Sequence, residues 1–444
     1  MEILTKPDIR TLFESQQRKA LRLKRSTFAE RIVRLAILIQ ALTDATDANP
    51  QALYDDFKKP AEEAKLELSP IFDEIDFAVA CLEGWMQPQI VTTPDAMGGA
   101  AAVSKIVYEP KGTCLLITPW NYPFLLTFRP LVSCLAAGNT AIIKPSELTP
   151  RSSTLMRQII ENAFSEDEVA VVEGGGEVAA ELLTLPFHHI FYTGGSRVGK
   201  IVMKAAANYL ASVTLELGGK SPAILDDSAD FADAAGKIAW GKYFNCGQTC
   251  IAPDYVLVSE NRKDEFMATM KATIEAMYGT EGPGADSSAY ARMVNAHHYR
   301  RVKNLLEEAV EHGASVVTGG TTDDDENYIA PTLLDNVSTD RAIMKEEIFG
   351  PVLPVMTYKT LDDAIALVNQ GERPLALYVF GQDKKNTQQV IDETTAGGSV
   401  VNHVIMHYFS PFLPFGGVGN SGTGRGNGHF GFLDFSNHRP VFQL

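Results

Sequence analysis

Thr113-Cys114-Leu115-Leu116-Ile117 begins a part of the chain in which short apolar runs alternate with amphipathic segments. Ala141-Ile142-Ile143 is a second apolar run, and residues 151–163 and 198–210 have the pattern of helices. A short apolar run without polar alternation is typical of a strand buried on both faces. Alternation of such strands with helices predicts a parallel, doubly wound α/β sheet, which binds ligands at the carboxyl ends of its strands.

A second α/β unit is expected from residue 213 onward, because the same alternation continues there. Its predicted strands and helices are Ala223-Ile224-Leu225, Tyr255-Val256-Leu257-Val258, Leu353-Pro354-Val355-Met356, and residues 262–277, 295–312 and 361–369. Residues 8–90 have a helical pattern, whereas residues 397–444 are rich in Gly, Phe and Pro and lack helical periodicity. A chain of 444 residues is too long for one simple core, so two or three domains are expected.

The composition is that of a globular protein, with 45% hydrophobic residues and a formal net charge of −16. This charge argues against nucleic acid and anionic membranes as partners, because both require a basic face. Five cysteines in so long a chain predict a reducing compartment, and no Cys/His spacing fits a structural zinc site. With no apolar signal core at the N-terminus and no hydrophobic anchor, we predict a cytoplasmic protein without a metal.

Cys250 is the leading candidate for a nucleophile, at the end of Asn245-Cys246-Gly247-Gln248-Thr249-Cys250. An ordinary thiol is only about 3% ionised at pH 7, so a reactive cysteine needs help from its surroundings. The turn before Cys250 could stand at a helix N-terminus, where backbone amides favour a thiolate. Cys246 is interpreted as a bystander, with a redox side role left open.

Two further strings offer a base and a hydrogen-bond donor. Leu215-Glu216-Leu217-Gly218-Gly219-Lys220 places a carboxylate 34 residues before Cys250, at the end of a predicted strand. In a dry site the pKa of Glu216 would rise toward neutrality, which suits a general base, although it could also cap the following loop. Asn121, in Pro119-Trp120-Asn121-Tyr122-Pro123, could be a turn residue or could direct its amide toward an oxyanion.

Two strings could bind a dinucleotide. Thr193-Gly194-Gly195-Ser196-Arg197-Val198-Gly199 follows a predicted strand and opens a helix, as at a pyrophosphate site, although its spacing is not G-x-G-x-x-G. Lys144-Pro145-Ser146-Glu147 follows a buried strand, and its Lys and Glu could bind ribose hydroxyls. Neither string is specific by itself.

Taken together, these strings resemble the aldehyde dehydrogenase superfamily over nearly the whole chain. Seven ordered strings carry the resemblance: Pro119–Pro123, Lys144–Glu147, Thr193–Gly199, Leu215–Lys220, Gly247–Cys250, Glu346–Pro351 and Pro414–Gly422. Val213-Thr214, Ala252-Pro253-Asp254-Tyr255 and Gly419-Asn420-Ser421-Gly422 resemble the class 3 branch, which includes fatty, aromatic and coniferyl aldehyde dehydrogenases. An α/β, aldehyde dehydrogenase-like fold is implied.

The resemblance implies a catalytic role for three residues. Cys250 would be the nucleophile, Glu216 the base that activates the deacylating water, and Asn121 an oxyanion donor together with the Cys250 backbone N–H. The thiolate would add to an aldehyde, hydride transfer to the nicotinamide would leave a thioester, and hydrolysis would release the acid.

The resemblance also implies cofactor contacts, and it favours NAD while leaving NADP open. Lys144 and Glu147 would hold the adenosine ribose, Gly194 and Ser196 would lie near the pyrophosphate, and Glu347 and Phe349 would contact the nicotinamide ribose and ring. Glu147 would repel the 2′-phosphate of NADP, whereas Arg197 could attract it.

The implied architecture has three parts. The NAD(P)-binding domain would comprise residues 1–84 and 105–212, the catalytic domain residues 213–396, and the oligomerisation segments residues 85–104 and 397–444. A homodimer is expected, because the long N-terminal extension of tetrameric relatives is absent. Val401–Phe409 and Phe412 would line the substrate entrance and suit a medium- or long-chain aliphatic or an aromatic aldehyde, although the same residues could instead serve structural packing.

Three alternatives remain open at this point. An acyl-thioester or acyl-phosphate reductase would fit the cysteine, but such relatives generally lack the base that Glu216 supplies. A cysteine hydrolase would not need Lys144–Glu147 or Glu346–Pro351. A catalytically inactive binding protein would not need to retain Cys250, Glu216 and Asn121 together.

Overall fold

The computed structural model describes residues 8–444; the N-terminal segment 1–7, which was predicted to lack a signal core, lies outside the described residues. The chain begins with four helices, α1 (Ile9–Leu23), α2 (Phe28–Asp44), α3 (Asn49–Phe57) and α4 (Ala61–Trp85). Thr27 and Glu30 form a capping box that starts α2, and Asp8 caps α1 through its side chain. The helical pattern predicted for residues 8–90 is confirmed.

A hairpin follows the four helices. Strand β1 (Gln89–Val91) pairs antiparallel with β2 (Val103–Pro110). The strand β2 crosses residue 105, where the sequence placed a domain boundary.

The first large sheet contains the predicted apolar runs at Thr113–Ile117 and at residues 141–143. Its strands alternate with helices as β3 (Thr113–Ile117), α5 (Leu125–Ala137), β4 (Thr140–Lys144), α6 (Pro150–Ala163), β5 (Val169–Val171), α7 (Gly176–Leu182), β6 (His189–Thr193), α8 (Ser196–Ala207) and β7 (Ser212–Glu216). These strands lie in the order β7-β6-β3-β4-β5 and are all parallel. The predicted doubly wound α/β sheet is confirmed, and β3 and β4 are buried at every residue.

The second large sheet has seven strands. Its part of the chain comprises β8 (Pro222–Leu225), α9 (Phe231–Tyr243), β9 (Tyr255–Ser259), α10 (Lys263–Tyr278), α11 (Ala296–Glu311), β10 (Ser315–Thr318), β11 (Thr322–Asp323), β12 (Tyr328–Ile329), β13 (Thr332–Asp335), α12 (Ala342–Lys345), β14 (Val352–Tyr358), α13 (Leu361–Gln370), β15 (Ala376–Phe380), α14 (Lys384–Glu393) and β16 (Gly398–Val401). The strand order is β10-β13-β14-β9-β8-β15-β16, in which only β10 is antiparallel to its neighbour; β11 and β12 form a separate hairpin.

The C-terminal segment joins these parts. Strand β17 (Gly422–Thr423) pairs antiparallel with β7, helix α15 (Gly428–Asp434) packs on α5, and β18 (Ser436–Gln443) pairs along the full length of β2. The absence of a helix from residues 397–444 was therefore a wrong prediction. Helix α15 has only seven residues, which are too few to show a helical periodicity. It begins with Gly428, His429 and Phe430.

One large buried cluster includes side chains from both large sheets, from Leu116 of β3 to Val256 of β9. The two α/β units therefore share a core, and the segments that follow β7 and precede β9 lie where they meet. No helix of residues 8–444 combines the length and the apolar character that crossing a membrane requires.

Candidate active site

Cys250 lies in an irregular loop between α9 and β9. Asn245 and Cys246 both have a φ of 55°, a left-handed conformation that costs a non-glycine residue on the order of 1–3 kcal/mol. The Gln248 side chain fixes this loop, because its amide nitrogen donates to the carbonyls of Asn245 and Arg292, each at 3.0 Å. The amide oxygen of Gln248 accepts from the N–H of Val294 at 2.9 Å. The Gln within the cysteine string is therefore the element that holds the strained turn.

The thiol of Cys250 does not lie at a helix N-terminus, so that prediction was wrong. A short turn, Phe244–Gly247, precedes the loop, and the next α-helix, α10, begins only at Lys263. Burial raises the pKa of the Cys250 thiol, and the negative charges of Glu347 and Glu216 act in the same direction, while backbone N–H groups at 250 and 251 oppose them. The sequence suggested a stabilised thiolate, whereas the surroundings favour the neutral thiol.

Cys246 differs from Cys250 in its surroundings. Its side chain is completely buried, and its sulfur lies 3.9 Å from the sulfur of Met293. Burial raises the pKa of the Cys246 thiol to about 12, so this thiol is protonated at neutral pH. Cys250, in contrast, lines two cavities.

Glu216 ends β7, as the sequence predicted, opposite Thr193 on one side and Gly422 on the other. The side chain is buried, and neither carboxylate oxygen has a hydrogen-bond partner within residues 8–444. Burial raises the pKa of this carboxyl well above its ordinary value, and the charge of Arg425 opposes the rise only in part. Glu216 and Cys250 line one small cavity of about 40 Å³, which is large enough for water.

The structure brings Asn121 against the cysteine loop. Its side-chain nitrogen donates to the backbone carbonyl of Gln248 at 2.9 Å. The next residue strengthens this contact, because the hydroxyl groups of Tyr122 and Thr249 lie 2.6 Å apart. The three predicted catalytic residues, which the sequence separates by up to 129 positions, therefore belong to one site.

A second cavity, of about 330 Å³, leads from Cys250 to the surface, and we call it the funnel. Its walls are mostly apolar and include Leu66, Leu125, Leu126, Trp240, Phe244, Ile251, Ile405, Met406, Tyr408 and Phe409. The C-terminal half of the predicted entrance therefore contributes as expected. Phe412 does not line the funnel; its ring packs edge-on against that of Phe77, with 4.9 Å between the ring centres. Leu66 of α4 lines the funnel but was not predicted.

A third cavity, of about 580 Å³, lies between the two large sheets, and we call it the cleft. It is lined by Ser196, Gly218, Gly219, Lys220, Glu346, Glu347, Asn420 and neighbouring residues. Ser196 is the first residue of α8, and its hydroxyl donates to the carbonyl of Asn420 at 3.3 Å. The N–H of Gly194 donates to the carbonyl of Glu216 at 2.9 Å, which joins the glycine turn to the strand of the predicted base.

The remaining predicted cofactor residues lie in two other segments, one at the end of β4 and one between α12 and β14. Lys144 ends β4, and its ammonium group lies 2.7 Å from the carboxylate of Glu147. Burial raises the pKa of Glu347 to about 8. Phe349 has a φ of 47°, and its ring meets that of Trp120 edge-on at 5.4 Å. Trp120 immediately precedes Asn121, so this aromatic pair connects the Glu346–Pro351 segment with the loop that carries Asn121.

Sequence reasoning missed a group of charged residues below the site. Lys59 lies just before α4, Glu63 and Glu67 lie in its first two turns, and both Lys59 and Glu67 are buried. The helical spacing of Ala64, Leu68 and Ile71 would have placed Glu67 on the apolar face, which was the available signal. Nothing in the local sequence of Lys59 distinguishes it from a solvent-exposed lysine.

The chain is similar to known proteins over most of its length. The aldehyde dehydrogenase family model matches residues 2–441. The chain is 43% identical over 433 residues to 4,4'-diaponeurosporen-aldehyde dehydrogenase of Staphylococcus aureus, which covers 97% of this chain and 91% of that protein. It is 44% identical over 377 residues to aldehyde dehydrogenase family 3 member A2 of Rattus norvegicus, with coverages of 84% and 75%. The solved substrate-bound state of Staphylococcus aureus AldH has a TM-score of 0.94 at 42% identity, with coverages of 98% and 94%.

The family match extends over nearly the whole chain, and the fold is shared with solved members at high TM-score. The chain therefore belongs to the aldehyde dehydrogenase family, on a class 3-like branch, and is an NAD(P)-dependent oxidoreductase that acts on aldehydes.

Proposed function

We propose that this enzyme oxidises apolar aldehydes, aliphatic of medium or long chain or aromatic, to carboxylic acids, with Cys250, Glu216 and Asn121 as its catalytic residues. One observation carries the proposal: Cys250 lies where the apolar funnel meets the small cavity that also contains the unpartnered carboxylate of Glu216. A substrate and a water molecule can therefore reach the same sulfur from different sides.

The first step uses the funnel. An aldehyde with an apolar tail is favoured there over water, because the walls carry few polar groups. The Cys250 thiol gives its proton to solvent water, the thiolate sulfur forms a bond to the carbonyl carbon, and the electron pair of the carbonyl π bond moves to the oxygen, which becomes an oxyanion. The Asn121 side-chain nitrogen has a second N–H besides the one that it gives to Gln248. That N–H and the Cys250 backbone N–H stabilise the oxyanion.

The cleft suits a dinucleotide. A buried carboxyl with a raised pKa, that of Glu347, faces a cavity whose other walls include glycine backbone and the first turn of α8. Lys144 and Glu147 would hold the adenosine ribose, Gly194 and Ser196 the pyrophosphate, and Glu347 and Phe349 the nicotinamide ribose and ring. When bound, the nicotinamide supplies the acceptor for the two electrons that the aldehyde carbon gives up.

The last step uses the small cavity. Glu216 is buried without a hydrogen-bond partner, so a water molecule in the cavity would satisfy a carboxylate oxygen. The raised pKa makes Glu216 a better proton acceptor than an ordinary glutamate, although more of it is protonated at neutral pH. Glu216 takes a proton from that water, hydroxide attacks the acyl carbon, and the carbon–sulfur bond breaks to release the acid.

We further propose a preference for NAD, a homodimer and a cytoplasmic location. The Glu147 carboxylate would repel the 2′-phosphate of NADP at the ribose site. The sheet of β1, β2 and β18 exposes apolar side chains that a second copy would cover, namely Ile90, Val91, Val103 and Phe442, and Met97 is exposed in the connection between β1 and β2. All five cysteines are free, as a reducing compartment requires. We also propose three parts for the chain, with residues 1–84 and 105–212 as the NAD(P)-binding domain, residues 213–396 as the catalytic domain, and residues 85–104 and 397–444 as oligomerisation segments.

The proposal is tested by following absorbance at 340 nm with NAD and then NADP, across acetaldehyde, hexanal, dodecanal, benzaldehyde and cinnamaldehyde. The wild-type enzyme is run beside Cys250→Ala, and the acid is quantified. Reduction of cofactor by wild type alone, with one equivalent of acid per cofactor, is expected. Dodecanal turning over no better than acetaldehyde would contradict the proposed substrate class. Reduction of the cofactor without release of free acid would favour chemistry that stops at the acyl-enzyme, as expected of an acyl-thioester or acyl-phosphate reductase.

A further inference from the structure

The buried ion pair of Lys59 and Glu67 lies against the loop that carries Asn121. The ammonium nitrogen of Lys59 is 2.5 Å from Oε1 of Glu67, and neither side chain has any exposed surface. A fully buried ion pair contributes little net stability, because removing both charges from water offsets their attraction. Its location therefore calls for an explanation other than stability.

Glu67 binds the start of α5. Its second oxygen, Oε2, accepts from the N–H of Phe124 at 3.1 Å and from the N–H of Leu125 at 3.5 Å. These amides belong to the first turn of the helix, where backbone N–H groups have no partner within the helix. They follow Pro123, which has no N–H to donate. The carboxylate thus fixes the chain immediately after the Asn121 loop.

Lys59 binds the other end of the same short segment. Its nitrogen lies 3.4 Å from the backbone carbonyl of Asn121 and 4.0 Å from the centre of the Tyr122 ring. The Asn121 carbonyl also accepts from the side chain of Asn245 at 3.0 Å, which belongs to the cysteine loop. The Asn121 carbonyl is therefore held by two groups, the ammonium of Lys59 and the side-chain amide of Asn245.

The opposite face of this segment bears the groups that reach the reaction site. The Asn121 amide donates to the carbonyl of Gln248, and the Tyr122 hydroxyl contacts that of Thr249. A shift of residues 121–125 would consequently move the amide relative to Cys250. A displacement of about 1 Å in a catalytic group can reduce the rate about 100-fold.

We propose that Lys59 and Glu67 are positioning residues, which hold residues 121–125 so that the Asn121 amide faces the oxyanion formed on Cys250. This inference rests on the oxyanion role proposed for Asn121. Lys59 and Glu67 act only through the loop, since neither side chain lines the funnel or the small cavity.

The test compares four variants of the full-length enzyme: Lys59→Met, the double variant Lys59→Met/Glu67→Gln, Asn121→Ala, and the triple variant that combines all three substitutions. The double variant removes both charges of the pair, and the nearby Glu63 carboxyl, whose pKa burial raises to about 7, can stay neutral without Lys59. The double variant is therefore expected to keep a thermal midpoint near that of wild type. Its kcat is expected to fall about 10-fold, while KM for the aldehyde changes less than twofold. Asn121→Ala is expected to lower kcat about 100-fold.

The decisive comparison is between backgrounds. If the ion pair acts through the Asn121 amide, adding Lys59→Met/Glu67→Gln to Asn121→Ala changes kcat less than twofold. The same 10-fold loss in both backgrounds would overturn the inference. Arg34→Met is the control, because Arg34 also forms a largely buried pair, with Glu168, but binds carbonyls at the far end of α5. A control that loses kcat as strongly as the double variant would likewise overturn it.

Two further outcomes separate the inference from the proposed function. Full kcat in Asn121→Ala would contradict the oxyanion role, and the positioning role would be rejected with it. If Lys59→Met does not fold, Glu67→Gln alone replaces it; this variant keeps an acceptor for the Phe124 N–H and is expected to retain more activity than Glu67→Ala. Equal losses in Glu67→Gln and Glu67→Ala, at matched folded fraction, would contradict a role through that hydrogen bond.

Discussion

The Glu347 carboxylate lies directly against the backbone of Gly218, where a Cβ atom would come within 2.1 Å of Oε2. Gly218 follows the proposed base, Glu216, by two residues. The structure shows that Gly218 leaves room for a second carboxylate, from a segment 129 residues farther along the chain. Burial raises the pKa of Glu347 to about 8, and the nearby Asp254 adds to the effect.

This raised pKa predicts a pH-dependent loss of stability. The ordinary pKa of the group is 4.5 and its value in the fold is about 8, so the fold disfavours the ionised form. The contribution of Glu347 to stability is therefore fully present below pH 4.5 and is lost as the pH rises toward 8. We expect Glu347→Gln to gain thermal stability relative to wild type between pH 5 and 8, with no further gain above about pH 9. A midpoint difference that stays constant from pH 5 to 9 would contradict the raised pKa.

The sequence predicted those features that depend on local pattern. Apolar runs such as Thr113–Ile117 located the strands of the first sheet, and Glu216 was correctly placed at a strand end. It failed where an environment is created by distant residues. The thiol pKa of Cys250 is raised by burial and by the charges of Glu347 and Glu216. Lys59 is buried in contact with the Glu67 carboxylate and the Asn121 carbonyl. Those contacts have no local signature in the chain.

Glu216→Gln is expected to separate acylation from hydrolysis. The substitution keeps the shape of the side chain but removes its ability to accept a proton, so turnover to acid should fall about 100-fold to 10,000-fold. Rapid mixing with saturating aldehyde and cofactor should still give a burst of about one equivalent of reduced cofactor per active site. Steady acid production at the wild-type rate would exclude Glu216 as the base.

Alkylation of the cofactor-free enzyme reports the thiol pKa of Cys250. Because burial and two carboxylates raise this pKa, the rate of reaction with iodoacetamide should increase about tenfold per pH unit from pH 7 to 9, without a plateau. Mass spectrometry of the peptide that contains both cysteines distinguishes the sites, and Cys246 should remain unmodified until the protein unfolds. A rate that levels off below pH 8 would indicate a stabilised thiolate.

Substitution of Glu147 tests the proposed cofactor preference. Glu147→Gln removes a carboxylate that pairs with Lys144 at 2.7 Å, so it eliminates repulsion of a 2′-phosphate and leaves the lysine charge uncompensated. The ratio of kcat/KM for NADP to that for NAD should rise about tenfold, corresponding to roughly 1.4 kcal/mol. The gain should shrink at high salt, because Glu147 is about half exposed. An unchanged ratio would show that the ribose 2′ position lies elsewhere.

The funnel predicts how activity depends on aldehyde length. Each additional methylene buried against its apolar wall contributes about 0.8 kcal/mol, so kcat/KM should rise about fourfold per carbon until the chain emerges at the surface. Met406 lines the outer part of the funnel and is 45% exposed. Met406→Lys should therefore lower kcat/KM for dodecanal severalfold and leave that for butanal within twofold, because the shorter chain ends before this position. Equal losses for both aldehydes would mean that the chain does not leave Cys250 through the funnel.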